Sequence, residues 1–345
     1  MATADYWSSA DLKGLPAGGF VNEDVMQKII DISKISLPFT DAISSDSVSN
    51  SYTEWPKDKL AAPDLTNAVV DGEDVAAYAD GTGTRVGNQC QISRKTVAVT
   101  SRARASNTIG SSDEYARQLM RKTDELRRDV EAISLGNQTS QADNGDATPG
   151  LAGTFNSWLV TNTERGSGGA DGGFDAGTVT GATLGTVRAL SETLIRDVCQ
   201  SVYEQGGDPN TLMARPQVIR RISEYMFTDA ARIGIQQTET GKQGASTAVG
   251  SVKVFITDFD VELVMRANRL MPAMDEPTTE LNDSVYIYDP AYWRFGYLRG
   301  YRTEPLAKTG LADKAQVSVD WTLKCLAEES AGVVADVDAS TAMIA

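Results

Sequence analysis

Five aspartates placed in turns, Asp58, Asp64, Asp258, Asp260 and Asp289, are the side chains of this sequence best suited to carry chemistry. Three or more such carboxylates converging in one pocket would hold Mg²⁺ or Ca²⁺ and activate a water for hydrolysis. Nothing in their spacing brings two of them together, so turn and surface roles are the expectation. Asp171 and Asp175, inside the glycine-rich GSGGADGGFDAGTVTG of 166–181, faintly resemble one unit of a calcium-binding nonapeptide repeat. Such repeats work as arrays, and a single unit predicts a flexible loop. The chain contains no histidine, the residue that supplies most general bases near neutral pH and the commonest transition-metal ligand. Ser-His-Asp, Cys-His and HExxH chemistries are therefore excluded. Cys90, Cys199 and Cys325 are odd in number, far apart and without a CxxC pair. They speak against a disulfide scaffold or a cysteine zinc site and predict small buried apolar side chains. Gly81-Thr82-Gly83 lacks the third glycine of a dinucleotide loop, and neither GxxxxGK[ST] nor GxSxG occurs. No catalytic residue, metal or cofactor is expected.

The elements that would position these residues are set by length and pattern. A chain of 345 residues and 36.9 kDa has room for two lobes, because single cores stop growing at roughly 250–300 residues. With 41% hydrophobic and 23% charged residues it is globular. Residues 1–19 carry no apolar run or basic lead, and no stretch nears the roughly 20 apolar residues of a spanning helix, so the protein is expected in a cytoplasm and away from membranes. A net charge of −15 and a pI near 4.5 predict a surface that repels nucleic acid, since gripping it takes clustered Lys and Arg.

The stretch SSDEYARQLMRKTDELRRDVEAISLGN, Ser111 to Asn137, is the best-specified element. Tyr115, Leu119, Thr123, Leu126, Val130 and Ile133 form one narrow stripe of a helix about 36 Å long. Ser111 with Glu114 spells a capping box, and Gly136-Asn137 a left-handed stop. Pairs four apart, Asp113–Arg117, Arg121–Glu125, Asp124–Arg128 and Arg127–Glu131, predict a polar face on which Arg117, Arg121, Arg128 and Glu131 meet solvent or a neighbouring subunit. Before it, Asn22-Glu23-Asp24 caps a short helix with Val25, Ile29 and Ile32 on one side. Val48 to Leu60 and Asn88 to Ala105 read as two extended arms around a loose tip, a projecting hairpin, with a bulge between Ser93 and Thr96 where the inward parity changes. Beyond the long helix, Thr183 to Gln205 reads as a second helix on Leu184, Val187, Leu194, Val198 and Val202, and Pro216 opens a third to about Phe227. Val252–Ile256 and Val261–Met265 flank a hairpin turn. Val317, Val319, Trp321, Leu323 and Cys325 alternate with Gln316, Ser318, Asp320, Thr322 and Lys324 as a strand with one wet face. The class is α+β.

This order of parts resembles the major capsid proteins of tailed bacteriophages with the Hong Kong 97-type fold. The residues that carry the likeness are Glu54-Trp55, Asp58 and Leu60, then Asn88 and Gln91-Ile92 in the hairpin, Glu125-Leu126-Arg127-Arg128-Asp129-Val130-Glu131 in the long helix, and Gly206-Gly207-Asp208-Pro209. The resemblance implies an N-terminal arm at 1–47, an extended hairpin loop at 48–100, a peripheral domain at 101–150 and 298–328 with a spine helix at 112–135, and an axial domain at 151–297 and 329–345. It implies inter-subunit contacts through Trp55, Lys57, Asp58, Lys59, Asn88 and Gln91. Its partners would be copies of itself in hexamers and pentamers, a separate scaffolding protein, portal and cement proteins, and packaged double-stranded DNA touched only loosely. Some relatives cross-link a hairpin lysine to an asparagine of another subunit; Lys57 and Lys59 lie in that region, but nothing identifies their partners and no bond is expected. The expected place is the virion, after assembly in the host cytoplasm. Two other readings stay open: a decoration or adhesin-type binding protein, and a carboxylate- and metal-dependent hydrolase.

Overall fold

Two β-sheets share a core with one long helix. The computed structural model describes residues 35–72, 74, 83–106, 113–226, 254–257, 259, 261–275, 281–308 and 310–344. The first sheet has four strands in the order β1 (Ser44–Ser47), β12 (Trp293–Leu306), β13 (Ala312–Cys325) and β4 (Gln91–Thr100). The second has six, in the order β5 (Thr163–Glu164), β14 (Ala331–Asp338), β11 (Asn282–Tyr288), β8 (Thr211–Ala214), β10 (Glu262–Ala267) and β9 (Val254–Ile256). Two ribbons complete the set, β2 (Tyr52–Lys57) with β3 (Thr84–Gln89), and β6 (Gly173–Asp175) with β7 (Thr178–Thr180).

The six-stranded sheet is covered on both faces, and its strands alternate between two cores. In β11, Tyr286 and Tyr288 face the first core while Val285 and Ile287 face the second. β8 and β14 divide in the same way, with Met213 and Val333 on one side and Leu212 and Val334 on the other. Strands buried on both faces need an almost unbroken apolar run, which is what VYIY and AGVVADV provide. The helices Glu192–Glu204 and Pro216–Met226 cover the second core through Ile195, Val198, Val202, Val218 and Ile222. The first core is aromatic. Phe155 stacks on Trp293 at 4.1 Å, and Phe39 sits edge-on to Phe155, Tyr288 and Phe295. It joins the two sheets and the long helix.

That helix runs Glu114–Ser134. Leu126 and Val130 of the expected stripe are fully buried in the first core, with Leu119 and Ile133 packed at its edge. Its cap is Asp113, whose carboxylate accepts from Tyr115 N and Ala116 N; the expected cap at Ser111 lies outside the described residues. The glycine stop is corrected too. The last turn closes on Leu135 at φ −94°, with Gly136 N donating to Ile133 O, and Gly136 is not left-handed. Tyr286 then ties this end to the six-stranded sheet by donating its hydroxyl to Leu135 O at 2.9 Å.

The hairpin differs from its expected form. Its arms are β2 and β3, paired Tyr52 to Gln89 through Lys57 to Thr84. The chain changes direction at Cys90, and β4 leaves the ribbon to pair with β13 from Trp321–Gln91 to Ala312–Thr100 without a bulge. The break therefore falls three residues before Ser93. The reason is polar: Gln91, Val97 and Val99 point inward, while Ile92 is 55% exposed. Residues 101–105, expected as strand, form a short helix.

Three further expectations are corrected. Residues 183–191 are not helical; the helix starts at Glu192 under a Ser191 cap, and Val187 is exposed. The glycine-rich stretch 166–181 is not a loose loop, because it holds the β6–β7 ribbon, and Asp171 accepts from Arg165 Nε at 2.6 Å and Thr163 Oγ1 at 2.7 Å. The wet face of β13 is wet only in its first half. Asp320, Thr322 and Lys324 are buried, and Lys324 Nζ lies 2.9 Å from Asp46 Oδ2, so β1 and Val48 just beyond it cover that end of the face. All three cysteines are free and buried. Burial pushes the Cys90 thiol up to about 11 and the Cys199 thiol up to about 12. The short helix expected after Asn22 and the turn acids Asp258 and Asp260 lie outside the described residues.

Candidate functional site: the projecting hairpin and its root

The β2–β3 ribbon leaves the body beside the end of β13. Trp55 is its anchor. The indole is buried, Nε1 donates to Cys325 O at 2.9 Å, and the ring lies 5.6 Å from that of Trp158. Opposite, Asn88 is fully buried with its amide satisfied on both sides. Its Nδ2 donates to Gly153 O at 3.0 Å and Leu323 O at 2.8 Å, and its Oδ1 accepts from Gly153 N at 2.8 Å. Gln91 Oε1 accepts from Gln138 Nε2 at 2.8 Å and from Ala152 N at 3.2 Å.

Three of the six residues expected at an inter-subunit contact therefore serve their own chain. Trp55, Asn88 and Gln91 are corrected to internal fastenings, because an indole N–H and two primary amides leave the solvent only where carbonyls and N–H groups meet them. Replacing Asn88 with alanine would strand Gly153 N and two carbonyls in the core. A loss of about 2–3 kcal/mol is expected, measured by denaturant unfolding, with faster amide exchange at 84–91.

The other three lie where the hairpin leaves the root. Lys57 Nζ is 2.7 Å from Glu329 Oε1, and Lys59 Nζ donates to Gln205 Oε1 at 2.6 Å. Asp58 is exposed and only turns back to its neighbour's N–H. A cleft of about 370 Å³ separates this part of the hairpin from Gln205–Gly207, Tyr292 and Ser330. Beyond it, Leu60, Leu65 and Val69 are 94%, 96% and 81% exposed.

Glu328 and Glu329 form a pair of neighbouring acids that the sequence did not point out. Burial, then the charge of Glu329, pushes the Glu328 carboxyl up, while Thr161 Oγ1 donates to it at 3.1 Å. Burial is the largest influence on Glu329 and works against its ionised form, but the Lys57 hydrogen bond, a backbone N–H and the charges of Lys57 and Lys59 together outweigh it and hold that carboxyl below the usual range.

On the long helix the expected polar face divides. Arg117 pairs with Glu114, and Lys122 with Glu125; the ion pairs described within this helix run i to i+3 rather than i to i+4. Hydrogen bonds from Arg117 and Gln118 pull the Glu114 carboxyl down to about 2. Arg121 is exposed and Arg128 half-buried. Arg127 lies over the ring of Tyr301 at 5.5 Å. Glu131 is corrected outright, since it is fully buried. Its carboxylate accepts from Phe39 N and Thr40 N at 2.8 Å, from Thr40 Oγ1, and from Asn268 Nδ2 at 2.8 Å. An acid directly after the stripe residue Val130 was the available signal.

Asp64 and Asp289 close turns as expected, accepting from Thr66 N and Ala291 N. Among the described residues no three potential metal ligands gather, and no helix is long and apolar enough to cross a membrane.

Known proteins share this fold. The SU10 major capsid protein family matches residues 14–338. The major capsid protein of Escherichia phage Phieco32 is 23% identical over 337 residues, covering 88% of this chain and 90% of that one. The capsid of a native GTA particle superposes with a TM-score of 0.59 at 11% identity, over 94% of this chain and 98% of that chain. The capsid of cyanophage P-SCSP1u gives 0.58 at 14% identity, over 96% and 99%, and a chain of Mycobacterium phage Che8 gives 0.57 at 10%, over 94% and 99%. The fold is the Hong Kong 97-type capsid fold. With a family match that spans nearly its whole length, and a fold shared end to end with phage capsids, the chain belongs to the SU10 major capsid protein family.

Proposed function

We propose that many copies of this chain close, as hexamers and pentamers, into the icosahedral head of a tailed phage around packaged double-stranded DNA. One observation carries this reading. A hairpin whose root is buried in its own core presents Leu60, Leu65 and Val69 almost fully to solvent. A firmly mounted extension with an apolar end is a surface for another copy, and repetition around a closed shell makes individually weak contacts sufficient.

In this reading the long helix and four-stranded sheet form the peripheral unit, and the six-stranded sheet with its two covering helices forms the axial unit. The hairpin proper ends at Cys90, since β4 pairs within the peripheral sheet. Asp58 and Lys59, with the exposed Arg121, are the parts of the expected contact set still available to a neighbour, whereas Lys57 is mostly buried against Glu329. A net charge of −15 supports DNA held by confinement rather than by grip. A separate scaffolding protein, a portal and cement proteins complete the proposed partners, with assembly in the host cytoplasm.

The test is the triple substitution of Leu60, Leu65 and Val69 by serine, at positions where a polar side chain costs the folded subunit almost nothing. Expressed with its scaffolding partner, the variant is expected to stay as soluble subunits or capsomers by size-exclusion and negative-stain microscopy. Shells of normal size and yield would overturn the proposal.

A further inference from the structure

Two lysines tie the outgoing arm of the hairpin to the six-stranded half of the molecule. Lys57, the last residue of β2, meets Glu329 with both side chains mostly buried, 21% and 17% exposed. Lys59 reaches Gln205. Glu329 sits in the 3-10 turn Glu328–Ser330 that leads into β14, and Gln205 caps the helix Glu192–Glu204. Both contacts bridge the cleft of about 370 Å³.

Two residues before Lys57, Trp55 is fixed by its bond to Cys325 O and its contact with Trp158. The ribbon is thus held at two points, one apolar and one charged, about 7 Å apart along the strand. A strand fixed at both has one direction of exit. Fixed at Trp55 alone, it can turn about that point.

The two fastenings differ in kind. The indole is buried and hydrogen-bonded, so freeing it exposes a large apolar surface. The lysine contacts join flexible stems to acceptors at the rim of a water-accessible cleft, where desolvation offsets much of the attraction. The charged fastening is the weaker and opens without unfolding the root. A small rotation matters, because the chain past Lys57 can extend roughly 40 Å over a dozen residues, so that turning it by about 20° moves its end by roughly 14 Å.

We propose that Lys57–Glu329, backed by Lys59–Gln205, is a releasable strap that sets the angle at which the hairpin leaves the body. The strap is a property of the single chain; its consequence for shell building rests on the function proposed above.

The experiment compares Lys57→Glu, Glu329→Lys and the double reversal in the full-length chain by hydrogen–deuterium exchange. Each single reversal is expected to speed exchange in β2 and β3 about tenfold, with the long helix and β12–β13 unchanged. The double reversal restores the pair and should return exchange to within about twofold of the parent. Single reversals that exchange like the parent, or a double reversal as fast as the singles, would overturn the strap. Lys57→Met keeps the stem and removes the charge. If a reversal prevents folding, exchange of the Lys57→Met variant in β2 and β3 decides in the same way, about tenfold faster for the strap and parent-like against it. Faster exchange with shells of normal size and yield would confirm the strap and sink its role in assembly.

Discussion

Glu131→Ala is expected to destabilise the chain by about 3–5 kcal/mol, the range found when one side of a buried, charged, hydrogen-bonded set is removed. The carboxylate is fully buried and ties two distant parts of the chain to its own helix: Phe39 and Thr40 donate to it from 92 and 91 residues away, and Asn268 from 137. Truncation leaves two backbone N–H groups and an amide with no acceptor in a site closed to water. Phe39 is also the edge-on partner of three rings in the first core, so loosening its N–H loosens the aromatic packing. Glu131→Gln keeps one acceptor oxygen but turns an NH₂ toward donors, and an intermediate loss of about 1–3 kcal/mol is expected. Denaturant unfolding measures both, and limited proteolysis locates the damage. Cleavage should appear first in 35–48, since β1 depends on the segment that Glu131 holds. An alanine variant within about 1 kcal/mol of the parent would show that the N-terminal segment is held by its apolar contacts alone.

The same residue shows why part of the fold was legible in the sequence and part was not. Where burial is apolar, spacing was enough: Leu126 and Val130 named the buried side of the long helix, and the alternation from Val317 to Cys325 named the inward face of β13. The pattern failed wherever a polar side chain was the inward one. Gln91 and Ser93 face in because Gln138 and Trp321 give them partners, so the apolar Ile92, which points out, set the wrong phase. The segment 183–191 failed for a different reason. Its apolar spacing suits a helix, but Gly185 lies so close to the backbone following β5 that a Cβ there would sit 2.4 Å from Gly166 O. A backbone packed against backbone in that way, with its N–H given to a distant carboxylate, is not free to coil into a helix. The hairpin as a projecting object was readable from its long weakly apolar middle, whereas its fastening was not, because Trp55, Asn88 and Lys57 bind partners 270, 235 and 272 residues distant in the numbering.

Gly185 and Gly166 converge on Asp336, where the second large effect is expected. Asp336 is fully buried in β14 and left-handed, at φ 58°. Its Oδ2 accepts from Gly166 N at 2.9 Å, and its Oδ1 from Gly185 N at 2.9 Å and Asn282 Nδ2 at 2.7 Å. One carboxylate therefore pins the two ends of 166–185 to the six-stranded sheet, at a backbone angle that most residues resist. Three substitutions separate the two effects. Asp336→Ala removes the acceptor and keeps the strain, for an expected loss of about 4–5 kcal/mol. Asp336→Gly removes the acceptor but accepts the angle, and should be less damaging than alanine by about 1–2 kcal/mol. Asp336→Asn tolerates the angle and keeps one oxygen, so it should be the mildest of the three. Denaturant unfolding gives the order, and protease sensitivity within 166–181 shows whether that stretch is what comes free. Alanine and glycine variants of equal stability would mean that the angle carries no strain. An alanine variant close to the parent would mean that the stretch is held by β6–β7 and its contacts with Ser140 and Asn137, with the carboxylate only filling a place that the glycines had already made.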